Sequence, residues 1–197
     1  HLRAFVVFMP VWRFFNLLRL ICKARARALP LSICYEGAFP LAKIRLCAIS
    51  GATVSREGEV MSTHIIVFDL DGTLADTSAD LLAAANAAVQ DMGFPAPLTH
   101  PQDALCAFRG GRAMLKLAHE RLAQAGQALP EEDAFVDQGY PSLLTAYGAD
   151  IARHTTAYPG ALGAVHALRA AGHATAICTN KPEALAVDLI AKLGVAD

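Results

Sequence analysis

Asp69 and Asp71 stand one residue apart, directly after the apolar run Ile65-Ile66-Val67-Phe68 and directly before Gly72-Thr73. An aspartate can act as a covalent nucleophile toward phosphorus. A second carboxyl beside it can protonate a leaving oxygen and then take a proton from water. Two anions this close repel each other and any phosphate. A divalent cation such as Mg²⁺, which takes carboxylate, carbonyl and phosphate oxygens, relieves that repulsion. A bare D-x-D-G string also reads as an Asp-rich turn, because Asp and Gly are common turn residues.

The elements around the pair favour a site. A short apolar run with β-branched residues, closed by a turn signal, reads as a buried strand of a parallel sheet. Ligands in open α/β sheets bind beyond the carboxyl ends of such strands. Gly72 lets the chain turn sharply there. A second strand is expected over His173 to Cys178, and it runs into Thr179-Asn180-Lys181-Pro182. On its own that string reads as the cap of the following helix, which has Pro182 at its first position and Gly194 at its stop.

The whole stretch His64 to Asp76, HIIVFDLDGTLAD, resembles motif I of the haloacid dehalogenase-like hydrolases. Thr179-Asn180-Lys181-Pro182 resembles motif II, in the form found in phosphoglycolate phosphatases. The resemblance covers roughly residues 61–197. It implies an α/β fold, a Rossmann-like parallel sheet core with an inserted α-helical cap. It also implies that Asp69 is the nucleophile and a Mg²⁺ ligand. Asp71 would be the acid/base, its main-chain carbonyl also facing the metal. Gly72 and Thr73 would belong to the phosphate-binding turn. Thr179 would hydrogen-bond the transferring phosphoryl group, Asn180 would orient phosphate or leaving group, and Lys181 would contact phosphate. The implied reaction is Mg²⁺-dependent hydrolysis of a small phosphomonoester, 2-phosphoglycolate first, through an aspartyl-phosphate. The rivals are a phosphomutase of the same architecture, similar to β-phosphoglucomutase, and an inactive truncated fragment. Nothing up to Asp197 matches the family's motif III lysine or motif IV acidic residues. The sequence therefore reads as the first part of a phosphatase, with Lys181 a candidate stand-in for the lysine.

Residues 78–157 carry helical periodicity without a strand signal. Thr77 or Ser78 is a candidate cap for a helix using Leu81, Leu82, Ala85, Val89 and Met92 and closed by Gly93. Thr99 with Gln102 forms a candidate capping box before a short helix from Pro101. Met114, Leu115, Ala118 and Leu122 mark a third helix. Phe135, Val136, Leu143, Leu144 and Tyr147 mark a fourth, which Pro141 is expected to kink or divide. Such an insert after motif I is read as the cap, with hinges at Ala75–Ser78 and Ala157–Gly160. The core is then 61–77 and 158–197. Arg109 and Arg112 flank a Gly-Gly turn in the insert. Arg109 is the favoured binder of a substrate carboxylate, which the planar guanidinium suits. The histidines are read as surface or packing residues.

The 197 residues are 54% hydrophobic, ample for one core with an insert. The formal charge of −1 hides an asymmetry. Residues 1–60 hold nine Lys and Arg against three Glu, and residues 61–197 eight against fifteen acidic residues. Residues 1–60 are expected to be an extension outside the fold, with Met61 as the natural start. A targeting segment is the next reading, and the Lys23 to Arg27 stretch argues against a secretory cleavage site. Ala4 to Trp12 is far short of the ~18 apolar residues of a membrane span. Five scattered cysteines without C-x-x-C point to no zinc site and to a cytoplasmic setting. The partner expected is a small phosphorylated metabolite, with no nucleic acid and no membrane.

Overall fold

The computed structural model describes residues 5–8, 35–39, 42–54 and 60–194. The stretch from Lys23 to Arg27, Cys22 and Cys34 lie outside the described residues. Seven strands and six helices follow in chain order among the described residues. They are β1 Phe5–Phe8, β2 Tyr35–Phe39, β3 Ala42–Val54, β4 Val60–Phe68, β5 Ala75–Asp76, α1 Ser78–Asp91, α2 Ala104–Ala107, α3 Gly111–Gln124, α4 Glu132–Ala149, β6 Thr156–Ala157, α5 Ala161–Ala170, β7 Ala174–Thr179 and α6 Glu183–Lys192. The chain divides into two compact units, one of residues 1–75, 157–186 and 193–197, the other of residues 76–156 and 187–192.

The first unit is α/β. Its sheet has the order β1-β7-β4-β3-β2. β4 and β7 pair in parallel, with Phe68 opposite Ile177. Parallel neighbours need a long crossover, and the helical insert plus α5 supplies it. β1 also runs parallel to β7. β3 is antiparallel to β4 and β2 to β3. That follows from their short links, since two residues separate Phe39 from Ala42 and five separate Val54 from Val60. The sequence reading puts residues 1–60 outside the fold; in the structure three of their segments are strands of this sheet. An open edge beside β4 or β7 would present unpaired backbone groups; β3 pairs with β4 and β1 with β7, and β2 adds to β3. Ile66, Val67, Phe68, Leu70 and Leu74 are buried, as are Ala176, Ile177 and Cys178 of β7. Cys178 is thus a small core residue.

The second unit is helical. One apolar face of α1 (Leu82, Ala85, Val89), of α3 (Met114, Leu115, Ala118, Leu122) and of α4 (Phe135, Val136, Leu143, Tyr147) is buried. α4 runs without a break through Pro141. The buried residues on both sides of the proline lie on one helix, so packing outweighs the single lost backbone bond. Thr77 makes no side-chain cap bond. Asp76 does the capping instead, its Oδ1 accepting from Ser78 N at 3.0 Å and from Ser78 Oγ at 2.6 Å. The box expected of Thr99 and Gln102 is replaced too. Thr99 N donates to Asp103 Oδ2 at 2.8 Å, and helix α2 begins only at Ala104. Asp103 wins because Arg121 also needs it, with Nη1 at 2.5 Å from Oδ2 and Nη2 at 2.5 Å from Oδ1. No helix among the described residues is long and apolar enough to cross a membrane.

Candidate active site

The site is built at the carboxyl ends of two adjacent parallel strands. β4 ends at Phe68, opposite Ile177 of β7. Asp69 therefore leaves its strand beside Cys178 and Thr179, where ligands of α/β sheets bind. The chain then knots tightly. Leu70, fully buried, anchors the knot. Its carbonyl accepts from Thr73 N, Leu74 N and Ala75 N at 3.3, 3.0 and 3.2 Å. Gly72 N donates to Ala75 O at 2.9 Å. Gly72 sits at φ +77°, a conformation that costs glycine little and other residues more. Asp69 Oδ1 accepts from Leu70 N at 2.8 Å, which holds the carboxylate against the start of the turn. Thr73 is buried within it.

At the end of β7 a second curl faces this turn. Thr179 is 2% exposed, and its Oγ1 accepts from Lys181 N at 3.2 Å. That bond folds Lys181 back toward the strand ends. Its ammonium lies 3.2 Å from Asp71 Oδ1, with side-chain exposures of 4% and 17%. Burial pushes the Lys181 ammonium below its ordinary range, and the Asp71 charge and hydrogen bond oppose that shift. The arrangement places two carboxylates, a buried hydroxyl and a buried cation together. It can offer a nucleophile, a proton donor and acceptor, and donors for anionic oxygens.

The structure thus brings Asp69, Asp71, Gly72, Thr73, Thr179 and Lys181 together, with Asn180 exposed beside Thr179. Arg109 lies in the helical unit, exposed, in the turn after α2. Arg112 is engaged elsewhere, its Nη2 2.7 Å from Asp137 Oδ1 and its guanidinium 5.7 Å from the centre of the Tyr140 ring. Sequence reading missed the Lys181–Asp71 pair, because nothing in either local string reports which strand lies next to which. It also missed Asp80, a buried carboxylate of α1 that looks in sequence like an ordinary first-turn acid.

A family model described as haloacid dehalogenase-like hydrolase matches residues 63–197. The chain belongs to the haloacid dehalogenase-like hydrolase family. It is 40% identical over 131 residues to a phosphoglycolate phosphatase of Agrobacterium fabrum, a match covering 66% of this chain and 54% of that protein. It is 38% identical over 143 residues to a phosphoglycolate phosphatase of Mesorhizobium japonicum, covering 68% of this chain and 57% of that protein. Its fold is similar to the crystal structure of a predicted phosphoglycolate phosphatase from Haemophilus somnus, with a TM-score of 0.58 and 26% identity over 67% of this chain and 57% of that one. The chain spans just over half the length of the curated relatives it matches. For a haloacid dehalogenase-like chain, the parallel pairing of β4 with β7 brings the turn at Asp69–Thr73 beside Thr179 although the helical insert separates them in sequence.

The donor chemistry here suits a hard cation in one limited way. Asp69 and Asp71 supply oxygens, and Mg²⁺ is usually held by one or two carboxylates together with phosphate oxygens and waters. Among the described residues, no group of three or more His, Cys, Asp or Glu side chains forms a cage. The residues present fit a site shared with a phosphate ligand.

Proposed function

We propose that this chain carries the nucleophile and acid/base half of a Mg²⁺-dependent phosphomonoester hydrolase. One observation carries this reading. Asp69 and Asp71, at the end of β4, stand next to Thr179 and Lys181 at the end of β7. Asp69 attacks phosphorus in line, and Asp71 protonates the leaving alkoxide. Asp71 then takes a proton from the water that cleaves the aspartyl-phosphate. The Thr179 hydroxyl and the Lys181 ammonium bind the charged phosphoryl oxygens, with Asn180 beside them orienting the leaving group. Gly72 keeps the turn close enough for backbone approach. Asp69, with the main-chain carbonyl of Asp71, would hold Mg²⁺, whose charge offsets that of the phosphoryl oxygens.

The substrate we favour is 2-phosphoglycolate, on the strength of what the relatives are named for. Arg109 is our candidate for its carboxylate, being exposed and of the right shape for a bidentate contact. The test is phosphate release from 2-phosphoglycolate by residues 1–197, with and without Mg²⁺, beside Asp69→Asn. Release should require the cation and fall roughly 10⁴-fold in the variant, as when a catalytic nucleophile is removed. Undiminished release by Asp69→Asn would sink the reading, and no release from the folded parent chain would mean a fragment that holds only half of an active site. Transfer of phosphate to another position of a sugar phosphate without net release would replace it with a mutase.

A further inference from the structure

The chain crosses between its units at residues 75–76 and 156–157, and twice more around the second half of α6, at 186–187 and 192–193. The first two crossings are β5 and β6, which pair with each other as a two-stranded sheet. On the core side of the pair, Tyr158 N donates to Leu74 O at 3.0 Å. On the helical side stands Asp80, in the first turn of α1 and 5% exposed. Its carboxylate accepts four hydrogen bonds from the returning chain. His154 N reaches Oδ1 at 2.9 Å and Oδ2 at 3.0 Å, Thr155 N reaches Oδ2 at 2.8 Å, and Thr155 Oγ1 reaches Oδ2 at 2.7 Å. Asp76, inside the outgoing crossing, is tied down by Ser78.

An aspartate in the first turn of a helix ordinarily serves that helix's own amide groups and dipole. Asp80 instead satisfies two backbone donors and a hydroxyl of a segment at the other end of the helical unit. Hydrogen bonds to an ionised carboxylate are the strong ones, more so in a buried position. The outgoing and returning strands are therefore tied on both sides of β5 and β6. We propose that Asp80 clasps the two strand connectors, β5 and β6, so that they open as one cooperative unit rather than as two independent strands.

The proposal stands apart from the phosphatase reading, because its test reads backbone protection and not activity. Native-state amide hydrogen exchange is measured on residues 1–197 over a series of sub-denaturing urea concentrations. In the unaltered chain the amides of His154, Thr155 and Tyr158 should exchange through one shared opening, with a common dependence on urea. In Asp80→Asn all three should exchange on the order of tenfold to a hundredfold faster, while amides within α3 and α4 keep their protection. Trypsin gives the matching readout, since Arg153 directly precedes His154. The bond after Arg153 should become a new early cleavage site in the variant, ahead of Arg112, Lys116 and Arg121 in α3. Three results would each overturn the proposal. One is separate openings for Tyr158 and for His154 with Thr155 in the unaltered chain. Another is unchanged protection in Asp80→Asn. The third is an equal loss of protection throughout α3 and α4, which would make Asp80 a general support of the helical unit. The first measurement needs no variant, so it decides the matter even if Asp80→Asn does not fold.

Discussion

Replacing either partner of the Lys181–Asp71 pair should have unequal consequences. At 3.2 Å the attraction is about 5 kcal/mol for an effective dielectric of about 20. Against it stands the cost of taking the ammonium out of water, several kcal/mol for a buried ion. Lys181 bears most of that cost, with a side chain 4% exposed against 17% for Asp71. The downward push on the lysine, with burial as its largest cause, points the same way. Asp71→Asn gives up the attraction but leaves the ammonium buried, so it should cost about 2–3 kcal/mol, somewhat below the range for breaking a fully buried pair because Asn still accepts a hydrogen bond. Lys181→Met gives up attraction and desolvation together and keeps the volume, so it should cost less than about 1 kcal/mol. With a urea slope of about 2 kcal/mol/M, the midpoint should fall by about 1–1.5 M for Asp71→Asn and by under about 0.5 M for Lys181→Met. The double variant should recover part of the Asp71→Asn loss. Urea unfolding followed by far-ultraviolet circular dichroism reads all three. A midpoint for Lys181→Met as low as that of Asp71→Asn would refute the reasoning, because it would mean that burial of the ammonium is not the dominant cost.

The Asp103–Arg121 pair makes stability depend on acid. The Arg121 hydrogen bonds hold the Asp103 carboxyl below its ordinary range, against a smaller opposing effect of burial. A carboxyl with a lowered folded-state pKa adds stability that is present above its unfolded value and lost as pH falls through its folded value. Thermal unfolding of the parent chain should therefore weaken below about pH 4, and Asp103→Asn should flatten that part of the profile. A variant that is unchanged in slope would show that the pair does not set it. Two glycines of the helical unit should also part company. A Cβ on Gly139 meets the flexible end of Met92 at 2.9 Å and Leu115 at 3.3 Å, so Gly139→Ala should come out within about 1 kcal/mol of neutral, with helix propensity offsetting the packing. A Cβ on Gly111 meets the Tyr140 ring at 2.9 Å and both Leu143 methyls at 3.3 Å, so Gly111→Ala should destabilise by about 1–3 kcal/mol in the same unfolding assay.

Much of this was legible in the sequence because it is local. The apolar run ending at Phe68, the carboxylates at 69 and 71 and the glycine at 72 report a strand end and a turn through short-range sterics and turn chemistry alone. The helices of residues 78–149 announce themselves by the spacing of Leu82, Val89, Leu115, Leu122, Phe135 and Leu143, since each must bury one face. Partnership is where sequence fell short. Asp80 reads as a first-turn acid until the returning segment at 154–155 is seen to place three donors around it. Thr99 reads as a cap with Gln102 until Arg121 draws Asp103 into the same loop. Pro141 reads as a break until the packed face on both of its sides carries the helix through. Lys181 reads as a phosphate ligand, and only the neighbouring of β7 and β4 sets it against Asp71. Local backbone preferences act over a few residues and can be read from the string that carries them. Burial of a charge and the choice of its partner depend on which strands and helices lie side by side, and tertiary structure alone decides that.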